Sequence, residues 1–209
     1  MTRLLLIRHA EPDADARARC CGRTDVELCD AGHARARRLA TALAGEPVTA
    51  IYTSPLRRAR ATAAPLAEAL SLEPVVVDDL RELDFGELDG LPFDEIAVRY
   101  PQFVPWTDAP AEVAFPAGES IAALRRRAVA AVDEIRRGHP GGTAVVVAHG
   151  VVLKAVLADA LGQAPEALFR VALDHGSVSV VEWYGDRALV CLVNAPASAV
   201  ADREAPPEA

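Results

Sequence analysis

Two stretches of the chain are apolar without alternation: Leu4-Leu5-Leu6-Ile7 and, far downstream, Ala144-Val145-Val146-Val147-Ala148. A strand with one wet face alternates apolar and polar residues, whereas a central strand of a parallel sheet is covered on both faces and does not. The pattern therefore predicts central strands over Arg3–Ile7 and Thr143–Ala148. Shorter strand signals fall at Ala50–Thr53, Pro74–Val77, Ser177–Trp183 and Leu189–Val193. Between them the apolar period lengthens to that of a helix. Ala36, Leu39, Ala40 and Leu43 form one side of Asp30–Leu43, and Ile121, Leu124, Ala128, Val132 and Ile135 one stripe of Ser120–Arg137, which stops at Gly138. Pro55–Leu70 reads as a helix behind an N-capping Ser54, and Val151–Leu161 as another closed by Gly162. Strands alternating with helices define an α/β domain.

Two stretches break the alternation. Residues 84–118 are rich in Pro, Asp and aromatics, with one short helix near Phe93–Arg99, and read as a cap inserted into the core. Residues 194–209 carry no apolar period and read as a disordered tail, so the folded domain is expected over residues 1–193.

Charge and cysteine content narrow the function classes. The 209 residues carry a net charge of −8, which argues against nucleic acid as a partner. No apolar run approaches a membrane span, and the first is too short for a leader core, so a cytoplasmic protein with no membrane partner is expected. Cys20, Cys21, Cys29 and Cys191 form no CxxC pair and are expected as free thiols. With His33 they match no defensible zinc spacing, so no metal and no cofactor is expected. The arginine clusters, including Arg125-Arg126-Arg127, read mostly as solvated helix faces. A homodimer is left open.

The chemistry lies at strand ends. Arg8-His9 follows the first strand, and His149-Gly150 follows the fourth. Ligands of open α/β sheets bind beyond the carboxyl ends of parallel strands, so both histidines are expected at one crevice. Arg58 lies four residues after Ser54, on the face of that cap, whereas Arg57 is turned about 100° away and solvated. Arg8 and Arg58 can then offer two guanidinium forks to one tetrahedral oxyanion, with helix N-termini adding positive dipole ends.

With these residues in view, the chain resembles the histidine phosphatase superfamily, also called the phosphoglycerate mutase-like family. The motifs that carry the resemblance are Arg8-His9-Ala10 followed by Glu11, then GRTDVELCDAG, YTSPLRRARATA, LRELDFGELDG, FPAGES and VVVAHG. The resemblance implies a three-layer αβα sandwich around a mixed, mostly parallel sheet, and metal-independent phosphoryl transfer through a phosphohistidine. It aligns His9 with the nucleophile, Glu82 with the proton donor, and Arg8, Arg58 and His149 with the phosphate pocket. The implied partner is a small-molecule phosphate ester.

Ala10 stands where the family has Gly, Pro12 where Thr is common, Asp15 where Asn often assists the phosphate, and Cys29 where Thr or Ser often precedes the next helix, a cap that Asp30 is expected to supply. An ionised Asp there would repel a phosphate, so Asp15 must turn away, hold a proton, or pair with Arg19 or Arg23. Within 91–119 only Arg99 is basic, against several carboxylates, which favours a phosphomonoesterase over a phosphoglycerate mutase that must hold further anionic groups. The cap aromatics suggest a ring-like or apolar alcohol, and the motifs resemble those of α-ribazole phosphatase and broad-specificity phosphatases. A non-catalytic phosphate-binding or partner-binding protein is the third reading, opposed by the intact set His9, Arg8, Arg58, Glu82 and His149.

Overall fold

The computed structural model describes residues 1–104, 106–108 and 113–201. Its strands are β1 (Thr2–Arg8), β2 (Val48–Thr53), β3 (Val75–Val76), β4 (Thr143–Ala148), β5 (Val178–Tyr184) and β6 (Arg187–Ala195). They form one six-stranded sheet in the order β3-β2-β4-β1-β5-β6. The first three neighbouring pairs are parallel and the last two antiparallel. The two runs without alternation are thus the two central parallel strands, paired Arg3 to Thr143 through Arg8 to Ala148.

The helices are α1 (Ala14–Arg17), α2 (Asp30–Leu43), α3 (Arg57–Leu70), α4 (Phe93–Arg99), α5 (Ile121–Gly138), α6 (Gly150–Ala160) and α7 (Ser198–Ala201). Leu4 and Leu6 of β1 pack with the buried stripes of α5 and α6, while Leu5 and Ile7 face those of α2 and α3. Successive side chains of a strand point to opposite faces, so one apolar run supplies both cores. The result is the expected three-layer αβα arrangement.

Two local expectations are corrected. Helix α3 starts at Arg57 rather than Pro55, because Leu56 is extended at φ −66° and ψ 137°. Asp25 Oδ1 accepts the Arg57 N–H at 2.7 Å, leaving Ser54 free for another partner. The tail expectation fails from Asn194 to Ala201: β6 continues to Ala195, and α7 buries Val200, with Ala197 before it, in the core beside α2. One helical turn is too short to register as a period. Residues 202–209 lie outside the described residues.

The cap stands over the carboxyl ends of the parallel strands, although residues 105 and 109–112 within it lie outside the described residues. Phe115 is its hub, with ring centroids at 4.9 Å to Phe85, 5.3 Å to Phe103 and 5.5 Å to Trp106. Gly86 and Gly118 hold the cap's base: a Cβ on Gly86, at φ +54°, would meet the Pro116 carbonyl at 2.0 Å, so no other residue fits there. Among the described residues no helix is long and apolar enough to cross a membrane.

Candidate active site

Strands β1, β4 and β2 deliver their last residues to one place. The His9 N–H donates to the Ala148 carbonyl at 2.9 Å, and the Ser54 N–H to the Val147 carbonyl at 3.0 Å. Ladder bonds of the sheet therefore continue into the segments that carry the chemistry, fixing Arg8-His9, Ser54 and His149-Gly150 side by side. The His9 and His149 rings lie 5.1 Å apart, centroid to centroid.

His9 is buried and its tautomer is settled by its partner. Nδ1 lies 2.8 Å from the Ala10 carbonyl oxygen, which can only accept, so Nδ1 carries the proton and Nε2 keeps its lone pair. Ala10 is held in turn: its N–H donates to Thr62 Oγ1 at 2.9 Å, and that hydroxyl donates to the Arg58 carbonyl at 2.7 Å. Ala10 is fully buried without a positive φ, so its methyl group is accommodated. Burial, then the charges of Arg58 and Arg8, push His9 well below the usual imidazole range. Burial, with Arg58, His9 and Arg8 adding, does the same to His149. Both rings are neutral at pH 7.

Arg58 is 1% exposed, an unusual place for a cation. Its Nη1 donates to the Thr24 carbonyl at 2.8 Å and its Nη2 to the Gly22 carbonyl at 2.7 Å. The loop offering these carbonyls is held by Asp89, whose carboxylate accepts the N–H groups of Gly22, Arg23 and Thr24. Arg57, as expected, is solvated and pairs with Glu27 at 2.8 Å. Arg8 donates to the Leu173 carbonyl and to His175 Nε2, while its buried Nε has no partner among the described residues.

Glu82 joins this group from the loop before the cap. Oε1 accepts the Leu83 N–H at 2.9 Å and Oε2 accepts the Val151 N–H, in the first turn of α6, at 3.1 Å. Its main chain is clamped by Arg127, which donates to the carbonyls of Asp79, Arg81 and Glu82 and pairs with Glu119. Arg127 thus departs from the solvated-face expectation. The Arg8 and Glu82 side chains both come within 3.7 Å of the space a Gly150 Cβ would occupy.

A cavity of about 510 Å³ opens above these groups. Arg8, His9, Arg58, Glu82 and His175 form its polar floor, and Phe85, Phe103, Trp106 and Phe115 part of its apolar wall. His149 stands behind His9, fully buried. The cap aromatics are both the cap's core and the cavity's wall.

Several contributors have a weak sequence signal or none, and His175, in the turn-like Asp174-His175-Gly176, gives only a faint hint of the pocket rim. His175 lines the cavity because β5 runs antiparallel to β1, so the turn before β5 arrives at the carboxyl end of β1. Arg17, which ends α1, and Arg19, just after it, line the same cavity and add cations to those of the cap. Asp15 is exposed and outside the cavity wall, which leaves turning away as its behaviour. At the start of α2 the N-cap position is Cys29 and has no side-chain cap bond, so Asp30 serves in the first turn rather than as the cap. Among the described residues no group of three or more His, Cys, Asp or Glu is placed to hold a metal ion.

Comparison with known proteins finds relatives along most of the chain. The chain is 34% identical over 195 residues to phosphoserine phosphatase 1 of Hydrogenobacter thermophilus, covering 93% of this chain and 92% of that protein. It is 32% identical over 184 residues to the probable phosphoglycerate mutase GpmB of Yersinia enterocolitica, covering 88% and 86%. The solved structure of YhfR from Bacillus stearothermophilus superposes with a TM-score of 0.88 at 32% identity, covering 93% of this chain and 98% of that one. The sequence profile of the histidine phosphatase superfamily, branch 1, matches residues 4–196, and the chain belongs to that family.

Proposed function

We propose that this protein is a phosphomonoesterase that passes the phosphoryl group of a small ester to His9 and then to water. The observation that carries the reading is the His9 Nδ1–H bond to the Ala10 carbonyl, which leaves Nε2 as a neutral nucleophile beside the buried Arg58 and the half-buried Arg8.

In the first step the Nε2–P bond forms as the P–O bond to the alcohol breaks. Charge on the phosphoryl oxygens is met by Arg8 and Arg58, and by the N–H that His149 presents from behind. The departing oxygen takes its proton from Glu82, and general acid help of this kind is worth about 10²–10⁴ in rate. In the second step Glu82, now ionised, takes a proton from water as the water oxygen attacks phosphorus and the Nε2–P bond breaks. No step requires a metal. The apolar wall favours an alcohol with a ring or alkyl body, and α-ribazole phosphate, phosphoserine and generic aryl phosphates are the first esters to assay.

Quenching the wild type in base during turnover of p-nitrophenyl phosphate, followed by peptide mass spectrometry, tests the reading. The expected result is a base-stable, acid-labile phosphoryl group on His9, and loss of turnover in His9→Ala. Undiminished turnover in His9→Ala would sink it.

One observation favours a mutase as the second reading: Arg17 and Arg19 line the cavity and can meet a second anionic group. Interconversion of 2- and 3-phosphoglycerate with a bisphosphate primer would select that reading.

A further inference from the structure

His175 does more than fill the cavity wall. Its Nε2 lies 2.9 Å from Arg8 Nη2. A guanidinium only donates, so Nε2 is the acceptor and the ring proton is on Nδ1. The other terminal nitrogen of Arg8 donates to the Leu173 carbonyl. Both ends of the Arg8 fork are therefore held by acceptors from one loop.

That loop is itself fixed to the site. The Gly176 N–H donates to the carbonyls of Arg8 and His9 at 3.0 and 3.1 Å, with Gly176 at φ +69°. Asp174 exchanges two hydrogen bonds with Asn194 at the end of β6, at 2.6 and 3.1 Å. The His175 ring also flanks His9, at 5.2 Å between centroids, while His149 flanks it at 5.1 Å.

The chemical type of the acceptor matters. A carboxylate beside Arg8 would orient it equally well, but would neutralise the charge meant for phosphate and repel the incoming dianion. An imidazole orients the guanidinium and leaves its charge intact, provided the ring stays neutral. Burial and the charge of Arg8 hold it so, with Arg17 and Arg35 adding and Glu11 opposing, down to about 4.

We infer that His175 is a positioning residue of the phosphate clamp, a neutral acceptor that sets the plane of the Arg8 guanidinium without cancelling its charge. This deepens the phosphatase reading and rests on it for the identity of the anion.

Three variants of the full chain separate the elements of the inference: His175→Gln keeps a neutral acceptor at the reach of Nε2, His175→Glu keeps an acceptor there but adds charge, and His175→Phe keeps ring bulk with no acceptor. The readouts are the Kd for inorganic phosphate by calorimetry, and kcat and KM for p-nitrophenyl phosphate. The Gln variant is expected within about threefold of wild type, and the Phe and Glu variants weakened about tenfold or more, the scale of one hydrogen bond to a charged group. The Phe variant alone, at wild-type thermal stability, binding phosphate within threefold of wild type would overturn the inference. So would a Glu variant equal to the Gln variant, a comparison of near-isosteres that survives misfolding of the Phe protein. A wild type that binds phosphate but turns over no ester would sink the phosphatase reading and leave this one standing.

Discussion

Ser54 Oγ and His149 Nε2 lie 2.7 Å apart, both fully buried, at the carboxyl ends of the neighbouring strands β2 and β4. Ser54 Oγ also accepts the Leu56 N–H at 3.3 Å, and among the described residues the imidazole is the acceptor that its own proton meets. Nε2 then accepts, and Nδ1 carries the ring's proton. That Nδ1 is buried with no partner among the described residues, and under the proposed function it is the N–H that would meet a phosphoryl oxygen.

Replacing Ser54 by Ala removes the group that selects this tautomer and leaves the Leu56 N–H unsatisfied. The expected outcome is a stability loss of about 1–3 kcal/mol and a fall in kcat/KM of about tenfold or more. The imidazole nitrogen shifts of His149 in a labelled sample report the tautomer directly. Unchanged shifts with unchanged kcat/KM would show that Ser54 does not set it.

The same histidines give the protein a pH signature. His9, His149 and His175 all bind protons more weakly folded than unfolded, through burial first and then the neighbouring arginines. Below about pH 6.5 the unfolded chain takes up protons that the folded chain does not, so stability falls as pH falls from that value. For His175 the loss continues until pH approaches about 4, where the folded ring also protonates. Urea midpoints measured from pH 7.5 to 4.5 should decline, and His175→Asn should flatten part of the slope. A midpoint constant across that range would contradict the neutral-histidine cluster.

Sequence legibility followed the range of the interactions. β1, β4 and α2 were readable because a doubly covered strand and an amphipathic helix each leave a local period. His9, Arg8, Arg58 and His149 were readable because each sits within a few residues of a strand end. His175, Ser54 in its bonding role and Arg127 were not, since their partners lie 167, 95 and 45 residues away. Ser54 looked like a helix cap because the pattern Ser-Pro commonly starts a helix, whereas an aspartate from another loop took that place. Arg127 resembled its solvated neighbours because its partners are backbone carbonyls, which have no sequence signature.

Arg17 and Arg19 are placed to act on the cavity's specificity rather than its chemistry. Both line the cavity, both are exposed, and Arg19 donates to the Gly90 carbonyl at 3.0 Å. Among the described residues neither forms an ion pair with a carboxylate, and under the proposed function their charge would meet the alcohol side of the substrate. The double variant Arg17→Ala/Arg19→Ala should raise KM about three- to tenfold for esters that carry a carboxylate, the scale of one or two solvent-exposed ion pairs. p-Nitrophenyl phosphate, which lacks one, should be nearly unaffected, and the difference should shrink in high salt. Equal changes for both esters would remove the two arginines from substrate recognition.

Glu82 offers the sharpest separation of acid catalysis from architecture. Its carboxyl group is pinned by the Leu83 and Val151 N–H groups, and its main chain by Arg127. Glu82→Gln keeps the shape but turns an amide N–H toward one of those donors, which costs about 1–3 kcal/mol of stability for the bond lost. If Glu82 were only architectural, every ester would suffer alike. If it protonates the departing oxygen, the loss depends on how badly that oxygen needs a proton. An alkyl phosphate should then lose about 10²–10⁴ in kcat/KM, whereas p-nitrophenyl phosphate, whose phenolate leaves unaided, should lose far less in its first step. Water attack on phosphohistidine still needs the base, so the variant should release a burst of p-nitrophenolate and accumulate phosphorylated His9. Equal losses for both esters with no burst would assign the proton to another group.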